Sequence, residues 1–331
     1  MVSVYAVAHF IVDFACAFLM FRSISMSPDW YLCILVYNFC AFAMQMPMGI
    51  IADKVNRNYV FAAVGCIMVG CGFGLTATPL AAAVLIGLGN GMFHIGGSVD
   101  VLNISSDKCS ALGLFVSPGA FGIFFGTLLG TGAAMPALPV VLSLVVIACL
   151  IVLTHRVFGA GYVSNAPFSP AAPPKLLIAV AFFFLVVCLR SYSGLAADFP
   201  WRGAGQWGLA LVCASAFGKT IGGFLSDRFG PAKTAVFSLG IAALLFLLPQ
   251  VPFAGVLAIL LFNMTMPITL WATAKVFPSA KGFSFGLLTF ALFIGFLPVY
   301  LGVGASPFWL VALIAAVSLG LLLAGLRGIR S

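Results

Sequence analysis

Three ionisable side chains lie within apolar stretches of the sequence, where they could carry protons. His9 and Asp13 are spaced i,i+4, so on a helix they share one face. His94 lies in a second apolar stretch, which is rich in glycine. Ionisable groups are costly in such surroundings and histidine titrates near neutrality, so these residues are functional candidates. We interpret them as groups that take up and release a proton. A static hydrogen-bonded set, or an Asp13 locked to a cation, is the alternative.

Two cations also lie within apolar stretches. Arg190 and Lys219 each need a partner if buried, and Asp13 or an anionic substrate could supply one. An arginine holds a carboxylate or phosphonate in a two-pronged hydrogen bond. We interpret both as substrate-binding candidates, with a fixed salt bridge as the alternative. Weaker uncharged candidates, which could equally hold helices together, are Asn38, Asn263 and Trp271. Asp100 is a further carboxylate near the end of an apolar stretch. It could have a role in a site, or it could instead pair with Lys108 in the following loop.

The composition predicts that the elements carrying these residues cross a membrane. Of 331 residues, 63% are hydrophobic and 7% charged, and the mean hydropathy is +1.22. A soluble domain is nearer ~25% charged. This composition excludes a soluble enzyme, a nucleic-acid-binding module and a disordered chain. The nine cysteines show no metal-ligand spacing, and no catalytic or ATP-binding motif is present, so we expect no enzyme activity, no cofactor and no metal.

Twelve apolar stretches are long enough to span a bilayer as helices. The predicted ranges are 2–22, 30–51, 58–76, 80–104, 110–131, 136–154, 175–196, 205–226, 232–249, 252–275, 282–302 and 305–326. The longest break, 155–174, is rich in Gly, Ser, Asn and Pro, a linker composition. We therefore expect an all-α polytopic membrane protein with six helices in 1–154, a cytoplasmic central linker in 155–174 and six helices in 175–331.

The distribution of Lys and Arg predicts the orientation. With the N-terminus inside, two basic residues face outward, Arg22 and Arg202, and eleven face the cytoplasm. The eleven are Lys54, Arg57, Lys108, Arg156, Lys175, Arg228, Lys233, Lys275, Lys281, Arg327 and Arg330. We expect a multi-pass protein of the cytoplasmic membrane with both termini in the cytoplasm, working as a monomer in the lipid bilayer.

A loop motif occurs twice, 174 residues apart. It reads Gly49-x-x-x-Asp53-Lys54-x-Asn56-Arg57 after the second helix, and Gly223-x-x-x-Asp227-Arg228-x-Gly230 after the eighth. Together with twelve helices and a central linker, this resembles the major facilitator superfamily. Asn56 replaces the signature Gly, and Pro231 replaces the signature Arg. The resemblance implies two pseudo-symmetric six-helix bundles that transport by alternating access.

The resemblance also implies partners for the two motif aspartates. Asp53 would meet the start of the eleventh helix near Lys281, and Asp227 the start of the fifth near Ser110. These contacts would close the cytoplasmic side and act as a gate. Alternatively, the motif residues only set topology and loop shape.

Two shorter resemblances bear on the type of transport. Phe93-His94 in a glycine-rich fourth helix, with His9-x-x-x-Asp13 on the first, resembles fosmidomycin-resistance-type exporters of the superfamily, although Ile95 stands where a Pro is expected. Ser117-Pro118-Gly119, followed by a glycine at every fourth position, resembles the antiporter signature of drug exporters; a packing face is the alternative.

The expected function is proton-coupled secondary transport of a small organic anion or zwitterion, with efflux slightly ahead of uptake. A multidrug-type proton antiporter for lipophilic cations, or proton-coupled uptake or uniport of a metabolite, is the alternative.

Overall fold

The computed structural model describes residues 1–105, 107–132, 135–157 and 164–329, and this part of the chain forms twelve helices joined by short loops. The helices are α1 (Val2–Arg22), α2 (Trp30–Val55), α3 (Asn58–Leu75), α4 (Pro79–Ile104), α5 (Cys109–Thr131), α6 (Ala137–Val157), α7 (Pro174–Ala196), α8 (Trp207–Phe229), α9 (Pro231–Leu245), α10 (Pro252–Val276), α11 (Lys281–Tyr300) and α12 (Phe308–Gly328). The predicted all-α fold with twelve helices is confirmed.

Eleven of these helices are long and apolar enough to cross a membrane. The shorter one is α9, with 15 residues, which ends four residues before the predicted boundary at 249. A turn at 246–247 leads into Pro249, and a proline cannot continue the helical hydrogen bonding. Of the predicted features, Arg330 and part of the linker (158–163) lie outside the described residues.

Three helices are interrupted where a proline follows. In α2, the turn Phe39–Ala43 widens, and the Met44 N–H donates to the Phe39 carbonyl oxygen five residues earlier, at 3.1 Å. In α5, the helix Cys109–Val116 is followed by a second helix that starts at Pro118. In α10, Met264 and Thr265 separate Pro252–Asn263 from Met266–Val276.

Contacts divide the chain into two compact units. The first consists of Met1–Ser106, Pro118–Ser169 and Ser279–Phe290, and the second of Asp107–Ser117, Pro170–Pro278 and Ala291–Ser331. The start of α5 therefore belongs to the same unit as α7–α10 and α12, and the start of α11 belongs to the same unit as α1–α4. The division at the central linker, which the sequence predicts, stays a prediction.

In the first unit, α1 packs tightly against α5. Glycines at every fourth position of α5 lie so close to the α1 backbone that an added Cβ would collide with it: Gly122 faces the Phe10 carbonyl oxygen, Gly126 that of Phe14 and Gly130 that of Phe18. Small residues allow such close approach between membrane helices. The packing interpretation of this glycine run is therefore confirmed.

The second unit contains an equivalent close approach between α8 and α10. A Cβ on Gly218 would meet the Leu260 carbonyl oxygen, and one on Gly222 would meet that of Met264. Both neighbours lie in the turns around the α10 interruption. Thr269 lies on the part of α10 that follows this interruption, and it contacts Arg190 on α7.

Candidate coupling and substrate sites

A buried polar cluster joins α1 to α4 in the first unit. The Asn90 Nδ2 amide donates to Asp13 Oδ1 at 2.9 Å, and His9 Nε2 lies 3.2 Å from Asp13 Oδ2. The Nε2 atoms of His9 and His94 are 2.9 Å apart. All four side chains are buried, with at most 8% of each residue exposed. The i,i+4 spacing of His9 and Asp13 gives the shared helix face that the sequence predicts.

The hydrogen bonds restrict the positions of the protons in this cluster. His94 Nδ1 lies 2.9 Å from the Asn90 carbonyl oxygen, which can only accept, so Nδ1 carries a hydrogen. In neutral His94 the Nε2 atom then has no hydrogen, so it can accept a hydrogen bond from the Nε2–H of His9. A further proton on His94 Nε2 would instead be donated to His9 or to Asp13, whose Oδ1 is 3.8 Å away. The cluster therefore has an internal position for one additional proton.

The same three ionisable side chains form the one set among the described residues whose spacing would also suit a metal ion. Their ligand atoms lie within 4.8 Å of one another. Four-coordinate zinc with His bonds of about 2.0–2.1 Å places its ligand atoms roughly 3.3 Å apart. The two histidine nitrogens are closer than that, at a hydrogen-bond distance. The distance between the two rings is therefore that of a hydrogen bond.

Arg190 lies on α7 in the second unit with 8% of its surface exposed. Its Nη2 atom donates to the Thr269 hydroxyl at 3.1 Å. Among the described residues, the ion pairs are His9–Asp13, His94–Asp13 and Lys275–Asp107, so none neutralises this guanidinium. A buried cation that is bonded to a hydroxyl alone is suited to bind an anion.

The other substrate-binding candidates lie in different surroundings. Lys219, on α8, is half-buried, and its Nζ atom lies 3.5 Å from the Val116 carbonyl oxygen. Asn38 and Asn263 each donate to the carbonyl oxygen four residues earlier, at 2.8 Å, just before the interruptions of α2 and α10. The Trp271 indole N–H donates to the Asp107 carbonyl oxygen at 2.7 Å. Of these four, Lys219, Asn263 and Trp271 belong to the second unit, as Arg190 does, and Asn38 belongs to the first.

The first motif aspartate caps the start of α11. Asp53 Oδ1 accepts from the Gly282 N–H at 2.8 Å, and Oδ2 from the Phe283 N–H at 2.9 Å. A helix N-terminus offers unpaired N–H groups and a positive dipole end, which favour a carboxylate. Gly49, one turn earlier, presses on the α11 backbone so closely that a Cβ would collide with the Gly282 carbonyl oxygen.

The second motif aspartate repeats this arrangement at the start of α5. Asp227 Oδ1 accepts from the Cys109 N–H at 2.7 Å, and Oδ2 from the Ser110 N–H at 3.0 Å. A Cβ on Gly223 would meet the Cys109 carbonyl oxygen at 2.8 Å. Both contacts that the family resemblance implies are thus present, whereas their role as a gate stays a prediction.

The remaining motif residues shape the two loops. Asn56 adopts the left-handed conformation (φ 54°) that a Gly would otherwise supply, and Gly230 has φ 93°. Lys54 lies 5.1 Å from the centre of the Phe168 ring, and Arg228 lies 5.3 Å from that of Phe229. The last of these residues, Arg57, is exposed and precedes α3.

Sequence reasoning missed two contacts of the first unit. Tyr5 donates its hydroxyl to Asp100 Oδ2 at 2.5 Å, and Asn58 donates to Oδ1 at 2.8 Å, so the expected alternative of an Asp100 pairing with Lys108 is wrong. The signal for Tyr5 was available, because it precedes His9 by four residues. That spacing places Tyr5 on the same face of α1 as His9, but the sequence does not show that Tyr5 and Asn58 meet Asp100 on another helix.

Comparison with known proteins supports the fold. No protein-family model and no curated protein matches the chain. Among solved structures, the human organic anion transporter MFSD10 (TETRAN) has a TM-score of 0.70 at 14% identity, covering 97% of this chain and 98% of that one. The Major Facilitator Superfamily transporter FucP in its outward conformation gives 0.65, and a variant of the E. coli fucose:proton symporter FucP gives 0.67, both at 16% identity over 97% of each chain. With its apolar helices and this match over nearly the whole length, the chain is a multi-pass integral membrane protein with the major facilitator fold.

Proposed function

We propose that this chain is a secondary active transporter, not an enzyme, and that it moves a small organic anion or zwitterion by alternating access. The supporting observation is Arg190, a buried guanidinium that no carboxylate neutralises among the described residues. An uncompensated buried cation is destabilising, so binding of a carboxylate or phosphonate would be favoured there. Among the solved structures with this fold, FucP is a fucose:proton symporter and MFSD10 is an organic anion transporter.

The test is a thermal-stability screen of the purified protein with small organic anions, zwitterions and lipophilic cations. A ligand that binds the folded state at about 100 times its Kd stabilises it by about 2.7 kcal/mol. We expect stabilisation by an anion or zwitterion, lost in Arg190→Ala and kept in Arg202→Ala, which removes an exposed arginine. Stabilisation by lipophilic cations alone, lost in Asp13→Asn, would instead support the multidrug-type antiporter.

We further propose that protons drive this transport, with efflux slightly favoured over uptake. The cluster of His9, Asp13 and His94 supports this coupling, because its hydrogen bonds can rearrange around one additional proton. Such a proton would leave when the site opens to the other side of the membrane. Coupling then follows from the different hydrogen bonds of the two protonation states.

Asp13→Asn tests the coupling, since an amide keeps the shape of the side chain but cannot take up the proton. In proteoliposomes, we expect the variant to lose accumulation driven by a pH gradient and to keep solute exchange at equal concentrations. Asp29→Asn, which removes an exposed carboxylate, should behave like the wild type. Wild-type accumulation in Asp13→Asn would contradict proton coupling at this cluster.

A further inference from the structure

The polar contacts between α1 and α4 do not end at the His–Asp cluster. They form a ladder of three rungs that extends toward the end of α4 at Ile104: Asn90 with Asp13, His94 with His9, and Asp100 with Tyr5. On α1 the three members are spaced by four residues, about 6 Å per step, whereas on α4 the two spacings are four and six residues. All six side chains are buried. The ladder thus connects the cluster to the helix end that is expected to face the cytoplasm.

The last rung contains a carboxyl group without a cation. Asp100 is 1% exposed and belongs to none of the ion pairs among the described residues. Lys281, at the start of α11, donates instead to the Leu102 carbonyl oxygen at 3.2 Å and to Asn103 Oδ1 at 3.0 Å. On α2, Asp53 is engaged by the α11 N–H groups. A buried ionised carboxylate without a cation is unfavourable, so this environment favours a carboxyl that holds a proton.

The partners of Asp100 fit both of its protonation states. The Tyr5 hydroxyl can donate to the carboxylate or accept from the protonated carboxyl, since a phenol does both. The Asn58 amide, which approaches from α3, can donate to Oδ1 in either state. A group whose hydrogen bonds survive both gain and loss of a proton is suited to relay it.

The central linker is hydrogen-bonded to Asn58, the residue that donates to Asp100. The Asn58 amide also donates to Asn165 Oδ1 at 2.9 Å, and Asn103 donates to the same oxygen at 2.8 Å. The Asn165 backbone N–H donates to Asn56 Oδ1 at 2.8 Å, and its side-chain amide to the Ala52 carbonyl oxygen at 3.1 Å. Asn56, the departure from the signature glycine, thus supplies a linker contact that glycine lacks.

We propose that Asp100, positioned by Tyr5, is a second proton-carrying group, through which protons pass between the His9–Asp13–His94 cluster and the cytoplasm. This inference rests on the proposed proton coupling. In each passage an O–H bond forms on Asp100 as a proton leaves the cluster, and it breaks as the proton passes to cytoplasmic water, with Asn165 displaced. On α1, Tyr5 lies one turn from His9, about 6 Å along the helix axis.

Infrared difference spectra of the reconstituted protein test the first part. As the pH is lowered, each carboxyl that gains a proton contributes a carbonyl stretching band. We expect Asp100→Asn to lack one band that the wild type and Asp29→Asn both show. Tyr5→Phe should keep the band but shift it, because the hydrogen bond from the phenol is lost. An Asp100→Asn spectrum identical to that of the wild type would overturn the proposal.

Transport separates a relay from a structural role. Asp100→Asn should lose most of the accumulation driven by a pH gradient, while equilibrium exchange and thermal stability stay near wild type. Wild-type accumulation in Asp100→Asn, alongside loss in Asp13→Asn, would overturn the relay and leave proton coupling intact. Wild-type accumulation in Asp13→Asn would count against the coupling itself. Tyr5→Phe keeps the proposal testable if Asp100→Asn does not fold.

Discussion

Gly119 on α5 forms one wall of the His–Asp cluster. A Cβ built on it would collide with His9 Nε2 and would lie 2.5 Å from Asp13 Oδ2. No side chain fits there unless the pair moves. Gly119 therefore lies against polar side-chain atoms of the cluster, whereas Gly122, Gly126 and Gly130 lie mainly against the α1 backbone.

Gly119→Ala should disturb the coupling cluster without removing any of its ionisable groups. We expect a loss of about 1–3 kcal/mol in the free energy of unfolding, from overpacking, and a clear fall in accumulation driven by a pH gradient. The measurements are thermal unfolding and proteoliposome transport. Gly240→Ala on α9 is the control, because nothing lies within 4 Å of the added Cβ. Equal transport in both variants would contradict a tight fit at Gly119.

At the residue scale, the sequence carried the intrahelical part of the site. His9 and Asp13 were predictable because i,i+4 spacing fixes a shared face on any helix. The pairing of His9 with His94, and of Arg190 with Thr269, depends on how far one helix slides along another. A single sequence does not show the relative position of two helices along their axes. For this reason the alternative pairing of Asp100 with Lys108 was wrong.

At the element scale, hydropathy predicted all twelve helices, because spanning a bilayer requires a long apolar run. It did not predict the interruptions of α2, α5 and α10. A proline clashes with the carbonyl group four residues before it. For Pro47, Pro118 and Pro267 this carbonyl lies on Ala43, Leu114 and Asn263, at or just before each interruption. The prolines thus fix where a break is permitted, while packing decides its form.

At the scale of the whole molecule, two aspartates cap two helix starts in the same way. If these caps close the cytoplasmic side, removing one charge should favour the open state, since a neutral Asn interacts more weakly with N–H groups and a helix dipole. Cys109 is 1% exposed, and its backbone N–H donates to Asp227. The accessibility of its thiol to a reagent would therefore measure this opening.

We expect Asp53→Asn to raise the rate at which a water-soluble maleimide modifies Cys109 several-fold, as measured by mass spectrometry. This variant leaves the Asp227 cap untouched, so an increase at Cys109 would reflect opening of the molecule and not a local change. Asp227→Asn should show at least the same increase, and Asp29→Asn none. Unchanged labelling in Asp53→Asn would argue that the two caps act independently or only shape their loops.

The signature glycines give these caps a mechanical property. Gly49 and Gly223 touch main chain, not side chains, one helical turn from the aspartate that binds the same helix start. Main-chain surfaces cannot change rotamer to follow a partner that moves away by a fraction of an ångström. Partial separation therefore loses the close fit without gaining anything in return. Each cap should therefore have only two states, formed or broken. The proposed transport cycle would then be divided into discrete dwell times.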